Sequence, residues 1–589
     1  MTSGVHGSSW DAIVIGAGLG GLSAASYLAA SGLKVALLEQ YSVLGGSSHV
    51  FRRKRKWEFD VGVHYIGDCG PDGNVPTLLR GIGLDDRVQW LPLDTDGFDT
   101  IIAPDFELRI PVGWDNYLEN LIQAFPGEER GLRRYVSIMR AIGQSLDRTA
   151  TSANDLRRAV MRAGTAAAWA PVPHAVLLAA CRLKPRTILA LSVQDGAAAT
   201  PPQIAPVAVA AAFLENFVGR GAWFPRGGGQ VLAAGFAEVI RGHGGHIRTR
   251  TEVDRILVES GRVTGVRLRD GEILTAPVVV SAADIKRTYR DLVGYEQLPR
   301  WAVMRNEHFK MALPLINGYF GIEIDLAATP NTNYYTIPAT TWKATDSLWS
   351  LSRMSSQLLT GAARRDPRRW AEDFALRQPT YVQSSTRRDP SNQFSAPLGH
   401  AAIEAQTLAP WNPALWGVSA DEVATQSYRG NSAYQDIKEI IAGGLLDRVD
   451  QAFPGAAAKV QWSELATPAT QERYTRTTNG TSYGLEPRIT QLGPLRPGAR
   501  TPIRGLFLAG TSTSTGPATE GAMLSGVQAA SAIVGRDLLA EIRAGAVLAD
   551  PTRIAPWGPD FDPLAACRGG RATAAEEAED LDAAPVIRI

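Results

Sequence analysis

The sequence predicts an α/β protein organised around a buried parallel sheet, and three observations predict it. The short run Ala12-Ile13-Val14-Ile15 is apolar throughout, as a strand covered on both faces must be. It passes without a linker into a glycine-rich turn, Gly16-Ala17-Gly18-Leu19-Gly20-Gly21. An alanine-rich helical stretch then runs to about Ala30 and stops at Gly32, and a second apolar strand over 34–38 closes on Glu39.

Each position in this strand–turn–helix–strand unit has a mechanical reason. Gly16 permits the tight turn, Gly18 lets the backbone approach a pyrophosphate, and Gly21 lets helix and strand pack closely. Leu19 and Gly20 open the helix, whose N-terminal amides face the phosphates, and the Glu39 carboxylate accepts from ribose hydroxyls. A lone glycine signature is weak evidence. Here strand, helix, second strand and terminal acid stand in register, which reads as a Rossmann-type dinucleotide site.

Composition narrows the rest. The 589 residues suffice for two or three domains, and 45% hydrophobic with 20% charged residues is ordinary globular usage. A net charge of +1 leaves no whole-molecule field for nucleic acid. Cys69, Cys181 and Cys567 form no CxxC pair and no metal-ligand spacing, so a reduced, cytoplasmic protein is expected. The N-terminus lacks the pattern of a signal peptide. No window reaches the roughly 18–20 apolar residues of a spanning helix. The most apolar stretch, 171–193, is cut by Arg182, Lys184, Pro185 and Arg186. From 546 to 589 the chain is rich in Ala, Pro, Gly and acids and reads as a weakly ordered tail.

Six residues past Glu39 stands the pair Gly45-Gly46, followed by Ser47 and Ser48 and then by "FDVGVHYIG" (59–67). On these residues the chain resembles the FAD-dependent family of phytoene desaturases, carotenoid isomerases and all-trans-retinol 13,14-reductases. The block at 223–284 resembles that family's central segment, reading as a glycine loop, a helix and three short strands, and it includes Val253. The segment 505–535 resembles its C-terminal flavin segment: an apolar strand, a small-residue loop and a helix starting near Glu520-Gly521-Ala522. A helix start there would stabilise charge on a reduced flavin. One departure is that Thr511 follows Gly510 where many flavoproteins carry an acid, so Thr511 is the expected ribityl contact.

The resemblance implies FAD as cofactor and a glutathione-reductase-like FAD-binding domain, discontinuous over 1–95, 221–299 and 495–545. It also implies an inserted α+β substrate domain over 96–220 and 300–494. No second GxGxxG follows a strand, so no NAD(P)H domain is expected, and a separate electron acceptor or donor is implied. Aromatic segments at 206–217, 315–324 and 333–338 could line an apolar tunnel or fill a core. His64 and Tyr65, just past the strand that follows the glycine pair, are candidate proton donors or a packed pair. His243 and His246 have no acidic or Cys partner nearby, so no metal is expected. "GTSTSTG" (510–516) lacks a nucleophile elbow, which speaks against a hydrolase.

The function so predicted is an FAD-dependent oxidoreductase on carbon–carbon bonds of a long apolar polyene or isoprenoid. It would act as saturase or desaturase, with redox-neutral isomerisation as a variant. The rivals are a flavin amine oxidase and a non-catalytic prenyl-lipid-binding protein of the same fold. The five cations Arg52–Lys56 are read as a solvated hairpin or, through Arg52 or Arg53, a pyrophosphate contact. With the 171–193 stretch they would also suit peripheral attachment to an anionic membrane surface.

Overall fold

The computed structural model describes residues 9–146, 153–344 and 366–569. Five strands form a wholly parallel sheet in the spatial order His246–Arg248, Val35–Leu38, Ala12–Ile15, Val279–Ser281, Leu506–Leu508. We call Ala12–Ile15 β1 and Val35–Leu38 β2; the helix between them, α1, is Leu19–Ala30. All eight residues of β1 and β2 are buried because each face of the sheet has its own cover. Ala12, Val14, Val35 and Leu37 point to a core shared with α1 and helices Gln230–Gly242 and Ala518–Val534. Ile13, Ile15, Ala36 and Leu38 point the other way, onto an antiparallel three-stranded layer of Val253–Glu259, Arg262–Leu268 and Ile273–Thr275.

The central block is richer than the predicted three strands. After its helix it supplies five, of which His246–Arg248 and Val279–Ser281 enter the parallel sheet and three form the covering layer. Short segments of this kind carry no period that separates one sheet from the other.

A second sheet of seven strands runs in the order Val460–Ala466, Leu315–Ile322, Ala401–Leu408, Thr380–Ser384, Asn333–Thr336, Asp99–Ala103, Phe106–Ile110. Its pairs are antiparallel except that between Asn333–Thr336 and Asp99–Ala103. One face packs on the helix Ser432–Ala452 through Ile316, Phe320, Ile403 and Ala405. The other faces a cavity. The interrupted apolar stretch becomes two helices, His174–Ala180 and Pro185–Ser192, and Leu177, Leu178, Leu189 and Leu191 are buried in a helical core. Those leucines are therefore unavailable to a bilayer. Among the described residues no helix is long and apolar enough to cross a membrane.

Two further expectations need correction. The weakly ordered tail does not begin at 546. Helices Leu538–Arg543 and Pro563–Cys567 flank a packed connection, and Ala549, Ile554, Leu564 and Cys567 are buried against the cofactor half. The low-complexity run after residue 569 lies outside the described residues. The cationic run is a hairpin, β3 (Val50–Arg53) and β4 (Trp57–Asp60), turning at Lys54 and Arg55 with φ of 54° and 53°. It is far from fully solvated: Arg52 forms a two-pronged pair with Asp562 at 2.7 and 2.8 Å and bonds Glu58 at 2.7 Å. Arg53 reaches Glu464 at 2.9 Å.

Candidate active site

The glycine turn sits at the carboxyl end of β1, as expected of an open parallel sheet. Gly16 has φ +93°, the left-handed geometry that the turn demands. A Cβ on Gly18 would meet nothing within 4 Å, because the residue faces open space. A Cβ on Gly21 would lie 1.9 Å from the Gly16 carbonyl oxygen, and one on Gly20 2.7 Å from the Gly510 amide nitrogen. Gly20 thus joins α1 to the C-terminal block. Gly45 (φ +125°) and Gly46 (φ +56°) bring the next segment beside Gly18.

These elements form the wall of one continuous cavity of about 1230 Å³. Ordinary small-molecule sites measure roughly 300–1,000 Å³, so a dinucleotide and a second molecule have room side by side. Gly16, Gly18, Leu19, Gly20, Glu39, Gly45, Gly46, Ser47 and Ser48 line it, as do Val253, Gly510, Thr511, Glu520 and Ala522. Gly21 and Gly521 do not. Each is a packing glycine, with a Gly521 Cβ falling 2.5 Å from the Gly516 carbonyl oxygen. Ser48 turns its hydroxyl back onto the Gly45 carbonyl at 2.7 Å and braces the glycine pair. Arg52 does not line the cavity, and Arg53 does so while bonded to Glu464, so neither is free for a pyrophosphate.

The site fits FAD on its own geometry. Glu39 is buried and accepts from the Ala17 amide at 2.7 Å and the Tyr41 amide at 2.8 Å. Burial raises its pKa, and backbone hydrogen bonds from Ala17, Tyr41 and Gln40 oppose the rise. The carboxylate is held in place with acceptor capacity left for a ribose. At the far end, Ala518–Val534 presents its first turn to the cavity through Ala518, Thr519 and Glu520. The Thr511 carbonyl accepts from Arg496 at 2.7 Å. Arg496 is buried, and desolvation lowers its pKa to about 10.

His64 and Tyr65 come together with residues that motif reading did not single out. Ring nitrogens of His64 lie 2.6 Å from the Gln406 amide and 3.1 Å from the Gln383 amide. A neutral imidazole has one donor and one acceptor nitrogen, so one of these amides meets it through oxygen. Burial, with Arg388 nearby, lowers the His64 pKa to about 3. The Tyr65 hydroxyl is 3.2 Å from that of Tyr335, and its ring stacks on Tyr381 at 6.1 Å. Burial first, then the neighbouring Asp99, raises the Tyr65 pKa well above the usual phenol value. Asp99 accepts from Asn333 at 2.6 Å and Gln194 at 2.8 Å, and burial raises its pKa to about 7. Tyr381 and Gln406 are direct cross-strand partners on the cavity face, while Gln383 and Glu404 pair two residues along. Only the period-two alternation of "TYVQS" and "AAIEAQTL" hinted at this.

An apolar stretch of the wall is formed by Ala175, Val176, Ile188, Leu189, Phe213 and Phe217, with Asp195 and Asn216 also on the lining. Val176 both lines the cavity and is 50% exposed, which marks an opening at this apolar end. His243 accepts from the Asp550 amide at 2.9 Å, and His246 lies on the sheet edge with its ring against Trp10.

A parallel sheet with its glycine cradle, the buried Glu39 at the end of β2 and a cavity with room for a second molecule mark an FAD-dependent oxidoreductase of the α/β type. Comparison with known proteins agrees. The family model for flavin containing amine oxidoreductases matches residues 19–312 and 390–534. The chain belongs to that family. Among curated relatives, an all-trans-retinol 13,14-reductase of Danio rerio is 25% identical over 85% of this chain and 82% of its own length. A neurosporene-forming phytoene desaturase of Cereibacter sphaeroides is 28% identical over 87% and 92%. An oxidoreductase of Methanosarcina mazei has the same fold: TM-score 0.55, 17% identity, 87% of this chain and 98% of that one.

Proposed function

We propose that this oxidoreductase acts on carbon–carbon bonds of a long apolar polyene or isoprenoid. The observation that carries the reading is the second compartment: aliphatic and phenylalanine side chains lead inward from Val176 to His64, Tyr65, Tyr335, Tyr381 and Gln406. At that inner cluster the lining is neutral, since Asp99 and Glu404 lie behind the wall. An ammonium substrate would want a lining carboxylate there; a hydrocarbon chain would not. The names of the two relatives, one acting on retinol and one on phytoene, support the same class.

Bound FAD supplies hydride exchange; the chain supplies position, dryness and a proton. Gly16–Gly21, Glu39, Gly45–Gly46, Val253, Gly510–Thr511 and the 518–522 helix start hold the cofactor. The apolar walls align the substrate and exclude water. Tyr65 keeps its proton at neutral pH and offers its hydroxyl to the carbon that receives H⁺ on saturation. His64 stays neutral and orients the Gln406 and Gln383 amides. We assign residues 1–95, 221–299 and 495–545 to the cofactor domain and 96–220 and 300–494 to the substrate domain. One dinucleotide site in the sequence implies a separate electron acceptor or donor.

A lipid-soluble substrate favours contact with a bilayer. With Arg52 and Arg53 committed to ion pairs, we place that contact on the helix Ala153–Ala163. There Leu156, Val160 and Met161 are 52%, 50% and 71% exposed beside Arg157, Arg158 and Arg162.

The test is anaerobic. Oxidised and dithionite-reduced holoenzyme are incubated with a polyene panel and the products weighed. Gain of two hydrogens marks a saturase, loss a desaturase, and unchanged mass with altered retention an isomerase. No product from any polyene, with peroxide released from amines in air, would reassign the protein to amine oxidation.

A further inference from the structure

The glycine pair is followed by Ser47 and Ser48, so no basic side chain comes from that position to meet the cofactor's diphosphate. The C-terminal segment 562–569 carries one to the same place. Asp562 is clamped by Arg52 of the β3–β4 hairpin and caps the helix Pro563–Cys567, accepting from the Leu564 amide at 3.0 Å. Leu564 and Cys567 are buried with the helix Gln230–Gly242.

Past that helix the chain docks on the segment leading into the glycine pair. The Leu44 amide donates to the Cys567 carbonyl at 3.1 Å, and the Gly569 amide to the Ser42 carbonyl at 3.2 Å. Arg250 holds the Gly569 carbonyl. Residues 42–46 are thus sandwiched, with Gly45 donating to the Ala17 carbonyl of the glycine turn at 2.8 Å on their other side. Arg568 pairs with Val43 across this junction and is a lining residue of the cavity. Its charge also reaches His49, three residues past Gly46 and itself a lining residue.

We infer that Arg568 is a cofactor-binding residue, a cation that the C-terminal segment delivers to the FAD diphosphate. A guanidinium offers paired donors to phosphate oxygens, and such charge-assisted bonds are among the stronger polar contacts. The inference concerns the cofactor alone and stands whether or not polyenes are the substrate.

The experiment measures FAD rebinding to the deflavinated full-length chain by flavin fluorescence, with ADP and adenosine as competitors. R568M keeps the stem and removes the charge. It is expected to weaken FAD about tenfold or more and to weaken ADP in step, leaving adenosine unchanged. FAD affinity within about twofold of wild type would overturn the proposal. So would equal losses of ADP and adenosine, which would mark Arg568 as a structural brace. R568K keeps the charge and should preserve most of ADP's advantage over adenosine. If R568M does not fold, R568Q replaces it, and an unchanged advantage of ADP over adenosine in that variant counts against the proposal.

Discussion

A methyl group on Gly21 would stand 1.9 Å from a backbone oxygen, and the same group on Gly18 would stand in open space. The two glycines, three residues apart in one turn, therefore fail differently. G21A should destabilise the fold by about 3 kcal/mol or more, since backbone cannot yield as a side chain does; thermal unfolding measures it. G18A should leave the melting temperature of the flavin-free chain nearly unchanged while lowering FAD affinity. Motif spacing made both glycines legible, together with the ribose acid, because phosphate approach and helix packing act at fixed offsets along one stretch of chain. Tyr335 falls in the aromatic segment 333–338 read as tunnel wall or core, but Tyr381, Gln406 and Asp99 were not legible in that way. They meet only when four strands from distant parts of the chain come into register.

The tyrosines give two more tests at this scale. Y65F removes the hydroxyl that faces Tyr335 while keeping its packing on Phe217, whose ring lies at 4.4 Å. It should lower kcat roughly 10²-fold or more with unchanged flavin content, as read by the flavin absorbance per chain. Asp99 gives a pH signature. Its folded pKa of about 7 lies above the unfolded value, near 3.9. Between those limits the folded protein holds a proton that the unfolded chain has lost, so stability falls as pH rises through the window. D99N abolishes this contribution. Relative to it, wild type should lose up to about 1.4 kcal/mol per pH unit between pH 4 and 7, measured by urea unfolding. His64 and His49, with pKa values lowered to about 3 and about 4, work in the opposite direction. For them stability is lost as pH falls below about 6.5, so the D99N comparison isolates the carboxyl.

At the scale of elements, the cationic hairpin shows how a local pattern misleads. Five like charges in a row read as solvated surface, yet Arg52 and Arg53 cross to Asp562 and Glu464, 510 and 411 residues away. No short-range rule contains such partners. The same applies to the segment 546–569, whose composition resembles a tail but which buries Ala549, Ile554, Leu564 and Cys567 against the cofactor half. The exposed face of Ala153–Ala163 is the reverse case: a helix with a strong apolar face left uncovered. Replacing Leu156, Val160 and Met161 with Ser should abolish sedimentation with anionic liposomes without lowering the melting temperature. Changing Lys54, Arg55 and Lys56 to Gln should have a much smaller effect.

For the molecule as a whole, fold class and cofactor were readable because three separated blocks each carried part of one site. The shape of the substrate compartment was not, since a cavity is a property of what several elements leave unfilled. The sheet draws its strands from residues 12–15, 35–38, 246–248, 279–281 and 506–508, and residue 568 completes its rim. That order has a consequence for biogenesis. On the ribosome, at about 5–20 residues per second, roughly 11 to 45 s separate emergence of the fourth strand from emergence of the fifth. During that interval Val279–Ser281 offers an open edge, and the helix Ala518–Val534 has yet to cover α1. Residues 506–534 must emerge before the sheet edge is paired and α1 is covered, so the nascent chain carries an association-prone edge until then.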